Sequence, residues 1–252
     1  MTRTLAIWRK ELKSYFNSPI AYVFMVLFLL YAAAKFFIWS SPGPYGAFRG
    51  NFFIQGEASL TDYFSVFPLV LAFLVPALCM RLWPEEYKSG TVEVLMTLPV
   101  KPWQVVFGKF FAMVTILLFT FVLSFSVPWA VNLMAVDGLD WGPVIGGYVA
   151  AFLMGTAYCS IGLLTSAFAR EQVVALLAAL FICLPLAVAG TPDIDLFTPT
   201  WLSPFGKFIG FSVRFESIEK GVLDVRDMLY FTSFTGLFVF LNIVVVEFRR
   251  LR

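Results

Sequence analysis

Six stretches of chain are almost wholly apolar, approximately Ile20–Trp39, Tyr63–Met80, Phe110–Met134, Val144–Phe168, Val173–Gly190 and Met228–Val246, and short charged or Gly/Pro-rich pieces separate them. A helix needs roughly 20 mostly apolar residues to cross a bilayer, and only a helix satisfies its own backbone in lipid, so the pattern predicts six transmembrane helices. A seventh apolar stretch, Leu196–Val213, is interrupted by Pro199, Pro204, Gly206, Lys207 and Gly210, and reads as interfacial or re-entrant. Before the first span, Leu5, Trp8, Leu12, Tyr15 and Phe16 gather on one side of a helical wheel, with Arg9, Lys10 and Lys13 opposite and Ile7 out of pattern. Residues 1–18 therefore read as a basic amphipathic helix lying on the membrane surface and turning at Asn17-Ser18-Pro19 into the first span.

Composition agrees: 60% of the 252 residues are hydrophobic and 13% are charged, against roughly 25% charged in soluble domains. With six spans and an inner N-terminus, twelve of the eighteen Lys and Arg residues fall inside, and net charge divides into +6 inside and −4 outside. The Lys/Arg bias thus places both termini in the cytoplasm. A seventh span would send the Arg249-Arg250-Leu251-Arg252 tail outward, against that bias. No small-residue cleavage site follows a short apolar core, so the N-terminus is expected to be retained.

Several function classes drop out. The chain has no histidine, which excludes Ser/His triads, Cys/His pairs and HExxH zinc sites, and Cys79, Cys159 and Cys183 lie inside spans as small apolar residues. No catalytic residue and no metal ligand is expected. Lys35, near the outer end of the first span, is the one charge within the six stretches, which disfavours ion-coupled transport. No phosphate-binding loop occurs, since Gly108-Lys109 is followed by Phe110 and Gly206-Lys207 by Phe208. If the chain moves a substrate uphill, the energy enters through its cytoplasmic surface. In the fourth span Gly147, Ala151, Gly155 and Cys159 form a small-residue stripe that lets another helix approach, by default within the chain.

The longest inner connection, 81–109, is the most patterned. Pro84 followed by Glu85 and Glu86 suits a helix start, Gly90 breaks that helix, and Thr91 can cap a second short one over Val92–Leu98 before Pro99. Such an element could dock on a soluble partner, or be an ordinary re-entry loop. Near the sixth span, Glu216, Glu219, Asp224 and Asp227 interleave with Arg214, Lys220 and Arg226 at helical spacings. They predict a salt-bridged outer-face helix, with gating or partner binding as the sharper alternative.

The run Glu85-Glu86-x-x-x-Gly90-Thr91-x-Glu93-x-Leu95-Met96-Thr97-x-Pro99-Val100, with Trp103-Gln104 and Gly108-Lys109 after it, resembles the signature of ABC-2-type transporter permeases. The segment from Phe215 to Asp227, before Tyr230-Phe231, resembles the outer segment of their gliding-motility and nitrous-oxide-maturation subgroup. The resemblance implies an all-α polytopic fold, a single ABC-2 transmembrane domain over 1–252 of the type V exporter kind, with an interfacial helix at 1–18 and an outer loop and helix at 191–227. It implies that Glu85, Glu86, Gly90, Thr91, Glu93, Leu95, Thr97 and Pro99 form the segment that contacts an ATPase. Trp8, Arg9, Lys10, Glu11 and Lys13 would belong to the family's interfacial helix. The chain would be the permease subunit of an ATP-driven exporter in the inner membrane, binding no cofactor itself, with ATP and Mg on two copies of a separate ATPase. Its other expected partners are a second permease chain, as homodimer or heterodimer, an extracytoplasmic accessory protein and membrane lipid, with no nucleic acid. A membrane scaffold or passive channel without ATP coupling is the competing reading, and neither reading names the substrate.

Overall fold

The computed structural model describes residues 3–37, 60–91, 100–135, 138–191, 203–219 and 224–250. Among these, helices α1 (Arg3–Asn17), α2 (Pro19–Phe37), α3 (Thr61–Phe64), α4 (Phe67–Cys79), α5 (Pro84–Lys88) and α6 (Pro102–Ser124) form the first half. Then come α7 (Ser126–Met134), α8 (Trp141–Phe168), α9 (Gln172–Val188), α10 (Ser203–Ile209), α11 (Phe211–Glu219) and α12 (Val225–Arg250), and no strand occurs among the described residues. Among the described residues, five helical stretches are long and apolar enough to cross a membrane: Pro19–Phe37, Thr61–Lys88, Pro102–Met134, Trp141–Phe168 and Val225–Arg249. The fifth expected span appears as α9, 17 residues long, which reaches about 25 Å at 1.5 Å per residue and falls short of a ~30 Å hydrocarbon core.

Helices α10 and α11 close off the end of this short helix. Gly190 takes φ +74°, ending α9, and an added Cβ there would lie 2.8 Å from Lys207 Cα of α10. The Ser212 hydroxyl of α11 donates to the Ala187 carbonyl, and the Thr191 hydroxyl donates to the Val188 carbonyl at 2.8 Å. These bonds take up carbonyls that a helix end leaves without a partner. The predicted 196–213 stretch is thus partly helical, from Ser203 on, while 192–202 lies outside the described residues.

At the centre stands α8, packed against α4, α6, α9, α11 and α12. Its small-residue stripe works within the chain: an added Cβ at Gly147 would meet the Phe64 ring at 2.8 Å, and one at Gly155 would meet Leu117 at 2.6 Å. At the end of the bundle bearing α3, Phe28 and Phe67 meet edge to face at 5.0 Å, Phe67 stacks on Phe121 at 6.0 Å, and Phe64 meets Tyr148 at 5.2 Å. Such ring pairs add directional attraction to area burial. These phenylalanines are core packing, whereas others such as Phe73, Phe181 and Phe240 are exposed on the outside of the bundle.

Two expected boundaries are corrected. The third apolar stretch begins eight residues earlier than Phe110, at Pro102, and breaks at Phe125 into α6 and α7. It starts early because Lys109, taken as a loop cation, is buried inside the helix by ion pairing. The second stretch, expected as one helix over 63–80, opens with the separate turn α3 before α4.

Candidate functional site

Helix α5 forms for the reasons its sequence states. Pro84 supplies a fixed φ and needs no hydrogen-bond acceptor at the first position, and Glu85 and Glu86 stand in the first turn, where the positive end of the helix dipole favours carboxylates. The Ser89 hydroxyl donates to the Glu85 carbonyl at 2.9 Å, and Gly90 then takes φ +67°, a conformation that strains any other L residue. Thr91, expected to cap a following helix, turns its hydroxyl back toward α5, 2.9 Å from Ser89 Oγ and 3.4 Å from the Glu86 carbonyl. The remainder of the expected contact segment, with Glu93, Leu95, Thr97 and Pro99, lies outside the described residues.

Glu85 and Glu86 point to opposite fates. The Glu85 side chain is 57% exposed and its ion pair with Arg81 is long at 3.9 Å. Glu86 is buried and meets the ammonium of Lys109, on α6, at 3.0 Å. The same ammonium lies 3.1 Å from Glu11 of α1, donates to the Leu82 carbonyl at 2.9 Å and sits 5.0 Å from the Trp83 ring centroid. The ammonium thus donates to Glu11 Oε1 and to the Leu82 carbonyl and stands in ion-pair contact with Glu86. Lys10 completes the group, 3.2 Å from Glu86 and 3.7 Å from Glu11. Two cations and two carboxylates thus tie α1, α5 and α6 together at one point, Lys109, which is fully buried. Taking charges out of water costs several kcal/mol per ion, so this joint exists only because every charge in it has a partner. Trp83 Nε1 and Glu86 Oε2 are buried with no hydrogen-bond partner among the described residues.

Burial works to lower the pKa of Lys10, but Glu86 and Glu11 beside it more than offset this and hold it above its ordinary 10.5. A folded pKa above the unfolded one means that the ammonium's contribution is complete below the unfolded value and is lost as pH rises through the folded one. Burial also raises the Tyr15 phenol well above 10.0, which weakens the fold in the same alkaline range. The Lys10 share is isolated by difference: the stability gap between the parent chain and Lys10→Gln should close as pH rises from about 9 to about 12, and a pH-independent gap would show that Lys10 acts by packing alone.

Helix α1 presents a different face to the protein from the one its wheel suggests. Trp8 Nε1 donates to Thr115 Oγ1 at 3.0 Å and Tyr15 donates to the Leu78 carbonyl at 2.9 Å, as expected of the apolar side. Glu11 and Ile7, however, also turn inward, and Ile7 packs so closely on Gly108 that an added Cβ would come within 2.7 Å of its Cγ2. Leu5 is exposed instead. The apolar arc is wide enough to serve two surfaces, and Lys109 makes an acidic position, Glu11, part of the protein-facing one. Of the other basic residues expected on the helix, Arg9 and Lys13 are exposed. In the sequence Lys109 stands out only as part of the Gly108-Lys109 motif and Arg81 only as an inner cation, and neither is expected to be buried; both are, and Arg81 lies over the Tyr15 ring at 4.7 Å. The one signal was an isolated cation one residue before an apolar run.

The predicted outer helix is two pieces. Helix α11 ends at Glu219, and Asp224 caps α12 by accepting from the Arg226 amide at 2.9 Å. Arg214 and Asp227 pair at 2.8 Å across these two helices rather than along one. Arg214 also stacks on Tyr230 at 4.0 Å and donates to the Phe208 carbonyl, and Phe211, which meets the same Tyr230 ring, is buried together with Phe215. Glu216 and Arg226 are exposed. The segment is docked on the bundle by its aromatic residues, so a freely solvated helix is not what forms.

A search of curated proteins returns no match to the chain. The family model described as ABC-2 family transporter protein matches residues 5–198, more than half of the chain, a range that takes in α5, α6 and the ion-pair joint they make with α1. This helical, multi-span membrane chain belongs to the ABC-2 transporter family, as its permease component.

Proposed function

We propose that the chain is the permease subunit of an ATP-driven exporter, coupled to a separate ATPase through 85–99, with six spans that count α9 and both termini in the cytoplasm. In this reading α1 lies along the inner membrane surface, two permease chains share one path, and each takes one ATPase. Arg9, Lys10 and Lys13 flank the docking site, with Glu93, Leu95, Thr97 and Pro99 continuing it. The outer segment with Arg214, Glu216, Glu219, Asp224, Arg226 and Asp227 meets an extracytoplasmic accessory protein, as in the gliding-motility and nitrous-oxide-maturation subgroup that the sequence resembles.

The observation that carries this is the two-sidedness of α5. One side offers Glu85, with Gly90 and Thr91 just beyond the helix, to the outside, while the other is tied through Glu86 to a buried cation on a long apolar helix. A partner that moves α5 by differential contact in its two nucleotide states therefore moves α1 and α6 with it. A passive channel has no use for such a connection.

The test is to purify the tagged chain, identify the ATPase that accompanies it, and measure ATP hydrolysis with and without the permease. Gly90→Pro forces a φ near −65° where +67° is needed. Glu86→Lys sets a third ammonium beside Lys10 and Lys109. Each should lower permease-dependent hydrolysis about tenfold, the equivalent of ~1.4 kcal/mol, with membrane insertion intact. Unchanged hydrolysis and unchanged co-purification in both variants would refute the reading.

A further inference from the structure

Two concavities of unlike character lie near the same helices, and together they define one seam. Between α1 and α5 lies a polar cleft of about 770 Å³ whose lining includes Arg9, Lys10, Lys13 and Arg81 against the single carboxylate Glu85, with the hydroxyls of Ser14 and Ser18 beside them. Lys10 is committed to Glu86 and Glu11, whereas the buried Arg81 guanidinium is fixed over Tyr15 at 4.7 Å and by Ser14 at 3.3 Å, with a long contact to Glu85 at 3.9 Å. Between α2 and α4 lies an apolar groove of about 370 Å³, lined by Leu27, Tyr31, Leu69, Val70, Phe73 and Leu184 among others.

The two concavities lie along the same two segments of chain. Ser18, in the cleft, precedes α2, which carries Leu27 nine residues on, about 13 Å at helical rise. Arg81, in the cleft, comes just after α4, which carries Leu74 seven residues back, about 10 Å. Between them along the chain, Val23 is exposed and Ala77 and Met80 are half-buried. The cleft also stands where two apolar helices meet polar chain, at Ser18-Pro19 and at Cys79-Met80-Arg81. Such a transition is where lipid phosphates sit, and the groove opens about 10–13 Å deeper, in the hydrocarbon.

We propose that a phospholipid with an anionic head occupies this seam, its phosphate among Lys13, Arg81 and Ser18 and an acyl chain in the groove between α2 and α4. Charge selects the head: with Lys10 held by Glu86 and Glu11, Lys13 and Arg81 still face the single carboxylate Glu85. The apolar continuation selects a lipid over an acidic protein surface or a free anion, neither of which would fill the groove. A second copy of the chain, placed here about a two-fold axis, would bring cations against cations.

The test is native mass spectrometry of the purified full chain in detergent, offered phosphatidylglycerol, phosphatidylcholine or inorganic phosphate. Phosphatidylglycerol should be retained preferentially, and Lys13→Gln and Arg81→Gln should each weaken retention about five-fold. Val70→Trp, which narrows the groove without touching a charge, should weaken it too. Lys13 is exposed, so Lys13→Gln keeps the test decisive if Arg81→Gln misfolds. Equal retention of the two lipids, indifference to both Lys13→Gln and Val70→Trp, or displacement of the lipid by phosphate alone would overturn the proposal. So would protection of a Lys13→Cys thiol by the co-purifying ATPase or by dimer formation that phosphatidylglycerol fails to compete.

Discussion

Lys109→Met is expected to destabilise the chain by about 3–5 kcal/mol, the cost of removing one partner from a buried ion pair. The distances explain why the loss is large. Glu11 and Glu86 both reach the same ammonium, at 3.1 and 3.0 Å. Without it, two buried carboxylates from different helices face each other with Lys10, 62% exposed, as their remaining cation. The Leu82 carbonyl also loses its donor, and the cation leaves the Trp83 ring. Attraction between α1 and α5 turns into repulsion, and α1 should detach first because Glu11 is its central inward residue. The measurement is the unfolding midpoint in mixed micelles together with proteolysis of α1. A triple variant, Lys109→Met with Glu11→Gln and Glu86→Gln, should recover most of the lost stability by removing the unpaired charges. If Lys109→Met alone melts within about 0.5 kcal/mol of the parent, a range typical of surface substitutions, the joint is not what holds α1 to α5.

That joint also marks where sequence reasoning reached and where it stopped. Spans were legible because hydrophobic length is a local property: α2, α8 and α12 fall where the apolar runs lie. The start of α5 at Pro84, with Glu85 and Glu86 behind it and Gly90 closing the turn, was legible for the same reason, since capping and positive φ are decided within a few residues. Lys109 was not. Its burial depends on Glu11, 98 positions away, and on Glu86 from a third helix, and a cation beside an apolar run reads as a boundary until its partners are known. The face of α1 failed likewise, because an acidic residue turns inward only when a buried ammonium awaits it. In the outer segment, helical spacing of Arg214 and Asp227 suggested one helix, whereas the pair joins two. Spacing fixes neighbours along a helix and says nothing of those brought near by a turn.

The centre of the bundle yields the other large effect. Gly162→Val should destabilise the chain by about 2–3 kcal/mol, in the range of overpacked cores. A Cβ at Gly162 would lie 2.7 Å from both Cβ and Sγ of Cys79, and 4.0 Å from the backbone at Pro76. Cys79 has little room to yield, because its sulfur already sits 3.1 Å from Met113 Sδ and 3.9 Å from the Cys159 carbonyl. Relief must come from separating α8 and α4, and α8 is the helix against which α4, α6, α9, α11 and α12 all pack. The strain therefore spreads, and the joint at Lys109 on α6 should loosen with it. Gly155→Ala should cost less, since the nearest obstacle is the end of the flexible Leu117 side chain. At Gly236 of α12 an added Cβ meets nothing within 4 Å, and alanine should be neutral or stabilising by up to about 1 kcal/mol from helix propensity. Unfolding midpoints of the three variants should rank Gly162→Val lowest and Gly236→Ala highest. A Gly162→Val chain as stable as Gly236→Ala would mean that α8 and α4 do not approach closely enough for glycine to be required between them.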